Sequence, residues 1–587
     1  MLNPRTPGVY IQEISTLPAS VVPVATAIPA FIGYTKQRIK DGETLAANTP
    51  VRVTSMLEYE EIFGGPFDEL FGITLTGTST DIDDTTIAVT QPPTLSPYLM
   101  YYSLQMFYAN GGGPCYVVSV GGFEPSNPGP ADIDPAELTA GVDALLQEDE
   151  PTLLVVPEAV ILANNSDRKD VYERMLAQCS NLQDRFTLMD TVEKGGTVKE
   201  DADDFRSNQT GTSDLIYGAS YYPALKTSLT RFYTDGSIDI VDSRTGAVFN
   251  GDTLEIIKNG TPPTPVASSG TITITNNANI AGDEFIVGGT TFTEGTDFAA
   301  GAGPATSAAA LETAINGAAD PLYTVSRSGA VLTITAVTPG IAGDGIALAY
   351  NDTGSGISAT VSGPGFLQGG SDGASTDPDK TLYNAITTEL DKNRMVLYPS
   401  STMAGVMARV DNERGVWKAP ANVGVRRVIE PNILVSDEEQ AELNVDATSG
   451  KSINVIRQFA GKGPVVWGAR TLAGNDNEWR YVPVRRFFIF AEESIKKATE
   501  PVVFEPNDAN TWLKVKAMIE NFLSTLWRDG ALAGAKPEDA FFVNVGLGTT
   551  MTSLDILEGR MNVEIGMAAV RPAEFIILKF SHKMQES

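Results

Sequence analysis

The chain has 587 residues and a formal net charge of −31, with 42% hydrophobic and 20% charged residues. This composition is ordinary for a globular protein, and the length predicts about three to five domains. The acidic balance disfavours nucleic acid as a partner, and no apolar run reaches the ~18 residues that would allow membrane insertion. The N-terminus lacks the apolar core of a secretory signal, so we expect a protein that is made and folded in the bacterial cytoplasm.

The charge is unevenly distributed along the chain. Residues 1–375 hold 45 acidic and 17 basic residues, a net charge of −28, whereas residues 376–587 hold 28 and 25, a net charge of −3. Two interpretations remain open at this point. The acidic surface serves solubility alone, or the balanced third packs against copies of the chain while the acidic part faces solvent.

Helix and strand patterns alternate through residues 96–240. In chain order they are the helix PYLMYYSLQMFYANGG, the strand CYVVSV, the helix DPAELTAGVDALLQE, the strand PTLLVVPE, the helix DRKDVYERMLAQCSNL and the strand RFTLMDTV. Asp134 is a candidate N-cap, with Pro135 at the first helical position. Such alternation predicts an α/β layer with a mostly parallel sheet. Cys115 and Cys179 lie within this region and are expected to be buried, reduced thiols.

Residues 262–372 have a different composition. No lysine occurs between Lys258 and Lys380, and Gly, Ala and Thr dominate. Strand patterns alternate with turn residues, one helix (SAAALETAINGA) interrupts them, and linker-like segments lie at both ends. We interpret this stretch as a β-rich domain inserted into a loop of the α/β domain, which resumes with a helix over DKTLYNAITTELDKN and the strand MVLYPS.

Residues 430–560 are predicted to be mixed α and β. The expected elements are the helix SDEEQAELNV, strands around GPVVWGARTL and RYVPVRRFFIFAEESIKKA, and a long helix over DANTWLKVKAMIENFLSTLWRDGAL. The last of these has an amphipathic core face. That face consists of Trp512, Val515, Ile519, Phe522 and Leu526.

Both ends of the chain carry short, apolar, strand-like segments. They are PGVYIQEI at residues 7–14 and AEFIILKF at residues 573–580. Chain ends usually fray, and an apolar strand there presents an unpaired edge unless another strand covers it.

Motifs for catalysis are nearly absent. The single histidine, His582, lies beside the C-terminus, so a nucleophilic site would lack a fixed pocket. The GKS at residues 450–452 resembles the end of a phosphate-binding loop, but Val445 stands where that loop needs its first glycine. The GLGTT stretch is followed by Met551, where a dinucleotide-binding loop needs its third glycine. The acidic clusters DIDD and EDADDF lack calcium-loop spacing. We expect no enzyme, cofactor or metal site.

Five segments resemble contractile tail sheath subunits. They are TPGVYIQEISTLPASVVPVATAIPAFIGYT, FAGKGPVVWGARTL, WRYVPVRRFFIFAEESI, VVFEPNDANTW and EGRMNVEIGMAAVRPAEFIILKF. Sheath subunits of this family polymerise around the inner tubes of phage tails and of phage-like contractile injection systems. The resemblance is close over residues 1–35 and 376–587 and looser over the α/β part, which corresponds to the family's subtilisin-like domain.

The resemblance implies a fold and a domain arrangement. The fold class is α/β and α+β multidomain: a subtilisin-like middle domain with an inserted β-rich domain, and a mixed α+β C-terminal domain with exchanged terminal strands. The expected units are an exchange arm at 1–25, the middle domain at 26–261 and 373–429, the outer insert at 262–372, the inner domain at 430–560 and a second arm at 561–587. A subtilisin-like fold does not imply proteolysis.

The resemblance also implies partners and contact residues. Terminal strands that add to a neighbour's sheet build an open helical assembly, a homo-oligomer of stacked rings, because a head-to-tail exchange need not close. The expected exchange residues are Val9, Tyr10, Ile11, Phe575, Ile576, Ile577, Leu578 and Phe580. The expected contact with an inner tube protein comprises Glu492, Glu493, Lys496 and Lys497. A baseplate and terminal cap proteins complete the expected partners.

Two alternatives remain. The first is a surface-binding adhesin or tail-fibre-like protein that recognises glycans through residues 262–372, although such a protein has no need of exchangeable strands at both ends. The second concerns the particle. The STLPASVVPVATAIPAFIGYT and FSHKMQES segments favour an injection system over a phage tail.

Overall fold

The structure is a computed structural model that describes residues 21–92, 95–124, 128–247, 249–260, 266–318, 320, 322–353, 358–363, 365–371 and 378–579. The predictions for Val9, Tyr10, Ile11, Phe580 and His582 fall outside the described residues. No helix within the described ranges is long and apolar enough to cross a membrane.

The strands of the described residues are numbered in chain order. They are β1 Pro29–Tyr34, β2 Ile39–Lys40, β3 Glu43–Thr44, β4 Pro50–Val53, β5 Gly72–Thr76, β6 Thr86–Thr90, β7 Cys115–Gly121, β8 Leu153–Val155, β9 Phe186–Asp190, β10 Gly218–Tyr222, β11 Leu225–Thr230, β12 Asp239–Asp242, β13 Ser269–Ile274, β14 Glu284–Val287, β15 Thr290–Thr293, β16 Tyr323–Ser328, β17 Val331–Ala336, β18 Leu348–Asn351, β19 Ala359–Val361, β20 Arg394–Leu397, β21 Val423–Gly424, β22 Val428–Pro431, β23 Ile453–Phe459, β24 Gly463–Val466, β25 Phe541–Val545 and β26 Val563–Met567.

The α-helices are numbered in the same way. They are α1 Met56–Phe63, α2 Met100–Ala109, α3 Pro135–Asp143, α4 Asn165–Leu182, α5 Val198–Asp204, α6 Leu254–Asn259, α7 Pro304–Gly317, α8 Lys380–Leu390, α9 Ser400–Arg414, α10 Asp437–Asn444, α11 Val482–Thr499, α12 Ala509–Arg528, α13 Pro537–Ala540 and α14 Ser553–Leu557.

A nine-stranded sheet forms the centre of the largest unit. Its strand order is β21-β24-β23-β10-β9-β8-β1-β7-β4. The six strands from β23 to β7 are parallel, as the helix–strand alternation predicts, and antiparallel strands close both edges. Helices cover both faces, because Phe31 of β1 contacts Phe107 of α2 while its neighbour Ile32 lies against α3 at Gly141. Parallel strands that are covered on both faces have continuous apolar runs in their sequences, because no side chain on them reaches water.

The predicted start of the C-terminal domain at residue 430 is wrong. Strands β23 and β24 belong to the nine-stranded sheet, and Leu443, Ile456 and Leu472 pack in its core. The unit therefore continues to about residue 472. The chain returns to the sheet after the insert, and this long-range pairing leaves no local mark in the sequence.

A small unit lies between the large sheet and the insert. It contains the sheet β12-β5-β6 with helices α6 and α8, and its own core includes Ile73, Ile240, Leu254 and Ile386. The sequence pattern did not separate this unit from the middle domain, because three distant segments of the chain contribute to it.

The inserted domain has a core of its own. Strands form the sheets β16-β17-β13-β19 and β15-β14-β18, and α7 packs against them. The two ends of the insert are adjacent, because Val266 and Ser371 exchange backbone hydrogen bonds of 3.2 and 3.0 Å. A domain with adjoining ends can be inserted in a loop without disturbing its host.

The C-terminal unit is built on α11, α12 and the two-stranded sheet of β25 and β26. Residues 480–498 were predicted as strand, and this is wrong, since they contribute most of α11. Helix α11 is buried on most of its surface between two units, so its continuous apolar run resembles a buried strand. The predicted C-terminal arm begins too early at 561, because β26 pairs with β25 of the same chain.

Candidate assembly site

The C-terminal arm, defined here as residues 571–579, exposes its apolar side chains. Phe575, Ile576, Ile577 and Leu578 are 70%, 78%, 81% and 71% exposed. This stretch belongs to none of the strands that the described residues form. A run of four exposed apolar side chains indicates a surface that a partner covers.

In the described part of the chain, the edges of the β25–β26 sheet are open except just beyond the end of β26, where Leu532 forms a bridge with Ala569. Within the described part of the chain, these two strands pair only with each other. One face packs on α12, where Val543 is buried beside Ile519 and Phe522. A two-stranded sheet is marginal alone, and additional strands would stabilise it.

A groove of about 670 Å³, lined by apolar side chains and also by Glu492, Lys496 and Glu505, lies between the inner face of β26 and helices α11 and α12. Its walls include alternate residues of one strand, which therefore share a face. These residues are Val563, Ile565 and Met567 of β26, opposite Phe488, Ile495, Val515 and Ile519 of the helices.

The N-terminal segment approaches the same unit. Val21 is 3% exposed and packs in the core of the C-terminal unit. The amide of Val24 donates to Ser494 Oγ of α11 at 3.1 Å, and the chain then runs into β1 of the large sheet. The described part of the chain therefore begins beside α11.

The four charged residues expected to contact an inner tube lie on the second half of α11. Lys497 Nζ contacts Asp149 Oδ2 of the large-sheet unit at 2.7 Å, and Glu493 is buried between Lys496 and Lys497. Glu492 is 3.2 Å from Arg485, and burial raises the pKa of its carboxyl despite this arginine. These contacts are within the chain, so the tube contact itself stays a prediction. Lys496, at 59% exposure, is the most accessible member.

Two arginines of α11 join the C-terminal unit to the large sheet, and sequence analysis did not single them out. Arg485 lies between the rings of Tyr217 and Trp479, at 4.6 and 4.7 Å. Arg486 forms a two-pronged ion pair with Asp411 of α9 at 2.6 and 3.0 Å, with both side chains 4% exposed. A planar guanidinium suits such stacked and bidentate contacts.

Two buried carboxyls lie at helix N-termini of the large-sheet unit. Glu158 accepts hydrogen bonds from the amides of Leu99 and Met100 at the start of α2, and burial raises its pKa to about 8. Asp190 accepts one from the amide of Ser400 at the start of α9, and burial raises its pKa to about 7. Partial positive charge at a helix N-terminus favours such acceptors. Their role here is to hold helices.

The two thiols are buried and unpaired, as predicted. Both Cys115 and Cys179 are free cysteines, and burial raises the pKa of the Cys115 thiol to about 12 and that of Cys179 further. No group of three or more metal-binding side chains occurs in the described ranges.

Two adjoining segments match models of known domains. Residues 333–472 match the phage tail sheath protein central domain, and residues 474–583 match the phage tail sheath C-terminal domain. The boundary between them falls between the last strand of the large sheet and α11. The tail sheath protein of Vibrio phage KVP40 is 29% identical over 136 residues, which are 23% of this chain and 20% of that protein. The chain thus spans about a fifth of the length of this curated relative.

Two solved structures are similar over almost the whole chain. One is the anti-feeding prophage (AFP) baseplate, with 27% identity, a TM-score of 0.52 and coverage of 99% of each chain. The other is the PVC sheath complex of an extracellular contractile injection system in the contracted state, with 25% identity, a TM-score of 0.52 and the same coverage. Together with the two matched domains, these similarities support a protein of the phage tail sheath family.

Proposed function

We propose that the protein is the structural subunit of a contractile sheath, which polymerises helically around an inner tube and contracts to drive that tube through a target cell envelope. The observation that carries the proposal is the combination of an exposed apolar arm with an open two-stranded sheet in one chain. A chain that has both a donor strand and an acceptor edge can add copies of itself without limit.

The arm of one subunit adds to an open edge of the β25–β26 sheet in a neighbour. Phe575 and Ile577 then share one face of the added strand, while Ile576 and Leu578 share the other. The groove beside β26 has the apolar lining to receive one of these faces. The N-terminal segment around Val9, Tyr10 and Ile11 contributes a further strand, and its emergence beside α11 supports this role.

The large-sheet unit corresponds to the family's subtilisin-like domain. Its parallel strands with helices on both faces support this assignment, and its buried carboxyls hold helices instead of a nucleophile. A structural, non-enzymatic role follows. The acidic insert faces outward, away from the charge-balanced units that form the lattice.

An injection system is favoured over a phage tail. The similarity to the AFP and PVC structures extends over 99% of the chain, whereas the match to the phage protein covers 23%. Assembly takes place in the bacterial cytoplasm, with a baseplate and terminal cap proteins at the two ends. Genes for an AAA-type ATPase and toxins beside this gene would support the injection system, and capsid and terminase genes would contradict it.

The contact with the inner tube is made by the exposed part of α11, with Lys496 and Glu492 as its accessible members. Contacts that contraction must break one subunit at a time should be polar and individually weak, at about 0–1 kcal/mol each. Lys496→Gln is the appropriate test, because it removes the exposed charge while Lys497 keeps its contacts with Glu493 and Asp149. We expect sheaths that form without the tube or contract early, and normal extended particles would contradict the assignment.

Electron microscopy of the purified full-length protein tests the proposed function. Long hollow tubes are expected from a sheath subunit. Compact single particles at every concentration would favour the surface-binding adhesin, whose binding would then be sought in the insert.

A further inference from the structure

The base of the C-terminal arm is bound to the body of its own subunit by one carboxylate. Glu574 Oε2 accepts from Arg470 Nη2 at 2.6 Å and from Tyr481 Oη at 3.1 Å. Glu574 Oε1 accepts from Arg470 Nε at 3.0 Å and from Asn444 Nδ2 at 2.7 Å. Four donor groups of three residues therefore meet one side chain, immediately before the exposed run begins at Phe575.

The arginine that holds this carboxylate is itself fixed. Arg470 is 4% exposed, and its Nη1 donates to the carbonyls of Asn444 and Gly474 at 3.3 and 3.4 Å. Its backbone forms a bridge with Tyr481, and its guanidinium lies 6.0 Å from that ring. If the Glu574 carboxylate moved away from Arg470, a buried guanidinium would lose its counter-charge, which would destabilise the subunit.

A second contact lies three residues earlier. Arg571 Nη1 donates to the carbonyl of Asn477 at 2.7 Å, on the connection between Arg470 and Tyr481. Burial alone would raise the pKa of Glu574, but the hydrogen bonds from Arg470 and Asn444 outweigh it and lower the pKa below its usual value. The carboxylate is thus charged, and the contact persists, at neutral pH.

We infer that Glu574 is a positioning residue that forms an ionic clasp with Arg470, Asn444 and Tyr481 and fixes the point where the arm leaves its subunit. This inference rests on the proposed function, since it assigns the arm beyond residue 574 to a neighbouring copy. The clasp divides the arm into an anchored base, residues 571–574, and a free donor strand.

The clasp also restricts where the accepting copy docks. The four apolar residues after Glu574 extend about 13 Å when fully extended. The β25–β26 sheet of the accepting copy must therefore lie against the corner formed by Asn444, Arg470 and Tyr481. A fixed departure point lowers the entropy lost when the strand is ordered on assembly.

The test uses the full-length chain with a spin label at Ala573→Cys, in the unassembled subunit. Cys115 and Cys179 are buried, so the label reacts at the introduced position. We expect restricted motion of the label in the parent chain and rapid motion after Glu574→Gln. Asn444→Ala removes one donor to Glu574 but leaves the ion pair with Arg470 in place, so the mobility of the label should lie between those of the parent chain and Glu574→Gln. Glu478→Gln is the matched control, with the same charge change on the same connection, and should leave the label restricted.

Assembly is measured with the same variants, unlabelled, as the critical concentration for polymer formation. We expect Glu574→Gln to raise this concentration about tenfold or more, with Glu478→Gln unchanged. Either of two results would overturn the inference. One is a label at position 573 whose motion is as restricted in Glu574→Gln as in the parent chain. The other is a critical concentration for Glu574→Gln equal to that of the parent chain. Removal of residues 575–587 is the separate test of arm donation. If that truncated chain assembles like the full chain, the proposed exchange fails, while the label still reports whether Glu574 holds the base.

Discussion

Replacing Ile577 with aspartate should abolish assembly and leave the isolated subunit intact. Ile577 is 81% exposed, so its side chain contributes almost nothing to the folding of its own subunit. In the proposed assembly it becomes buried in a neighbour's sheet. Complete burial of an isoleucine contributes about 1.5–3 kcal/mol, and burial of an unpaired carboxyl costs several kcal/mol more.

The expected loss per interface is therefore about 4–6 kcal/mol, or roughly three to four orders of magnitude in association, since about 1.4 kcal/mol corresponds to a factor of ten. Thermal unfolding of the dilute subunit should give a melting temperature within about 2 °C of the parent chain, because exposed substitutions usually change stability by less than ~0.5 kcal/mol. Sedimentation and electron microscopy would report the loss of polymer.

Leu57→Asp is the matched control for this experiment. Leu57 is 76% exposed at the start of α1, in the large-sheet unit, and an acidic residue is compatible with the first turn of a helix. It should assemble normally. Two results would refute the reasoning. Normal tubes from Ile577→Asp would place Ile577 outside an interface. A large fall in the melting temperature of the dilute Ile577→Asp subunit would place Ile577 in the core of its own subunit.

Three further predictions concern the rest of the chain. Arg486→Met should destabilise the subunit by about 3–5 kcal/mol in denaturant unfolding, because it leaves Asp411 buried and unpaired, and the double variant with Asp411→Asn should recover part of the loss. The folded-state pKa of Glu158, about 8, lies above its ordinary value of 4.5, so its contribution to stability is fully present below about pH 4.5 and is lost progressively as pH rises to about 8. The melting temperature should fall between about pH 5 and pH 8 and level off above that range, and Glu158→Gln should reduce the fall. Replacing residues 266–371 with a short Gly/Ser linker should preserve assembly, because Val266 and Ser371 are already adjacent; failure to polymerise, seen by electron microscopy, would place the insert in the lattice.

Local patterns predicted several elements correctly. Helix α3 has Asp134 as its N-cap and Pro135 in its first turn, as the sequence indicates, because capping depends on residues within one turn. The buried face of α12 was also predicted, since Val515, Ile519, Phe522 and Leu526 repeat at helical spacing. Composition alone separated the insert from its host.

Contacts between distant segments could not be read from the sequence. The pairs Arg486–Asp411 and Arg470–Glu574 join residues 75 and 104 positions apart, and nothing local marks either arginine as buried. The strand prediction for residues 480–498 failed because α11 is covered on most sides, which hides its helical period. The candidate donor strand was visible because four apolar residues, 575–578, follow one another without interruption in the sequence.

A cryo-EM reconstruction of the polymer formed by the full-length chain tests the central claim most directly. The account predicts a helical tube in which residues 575–578 of one subunit lie as a strand at an open edge of a neighbour's β25–β26 sheet, while Glu574 remains bound to Arg470 of its own subunit. A polymer in which that segment folds back on its own chain, with the β25–β26 sheet still two-stranded, would contradict it.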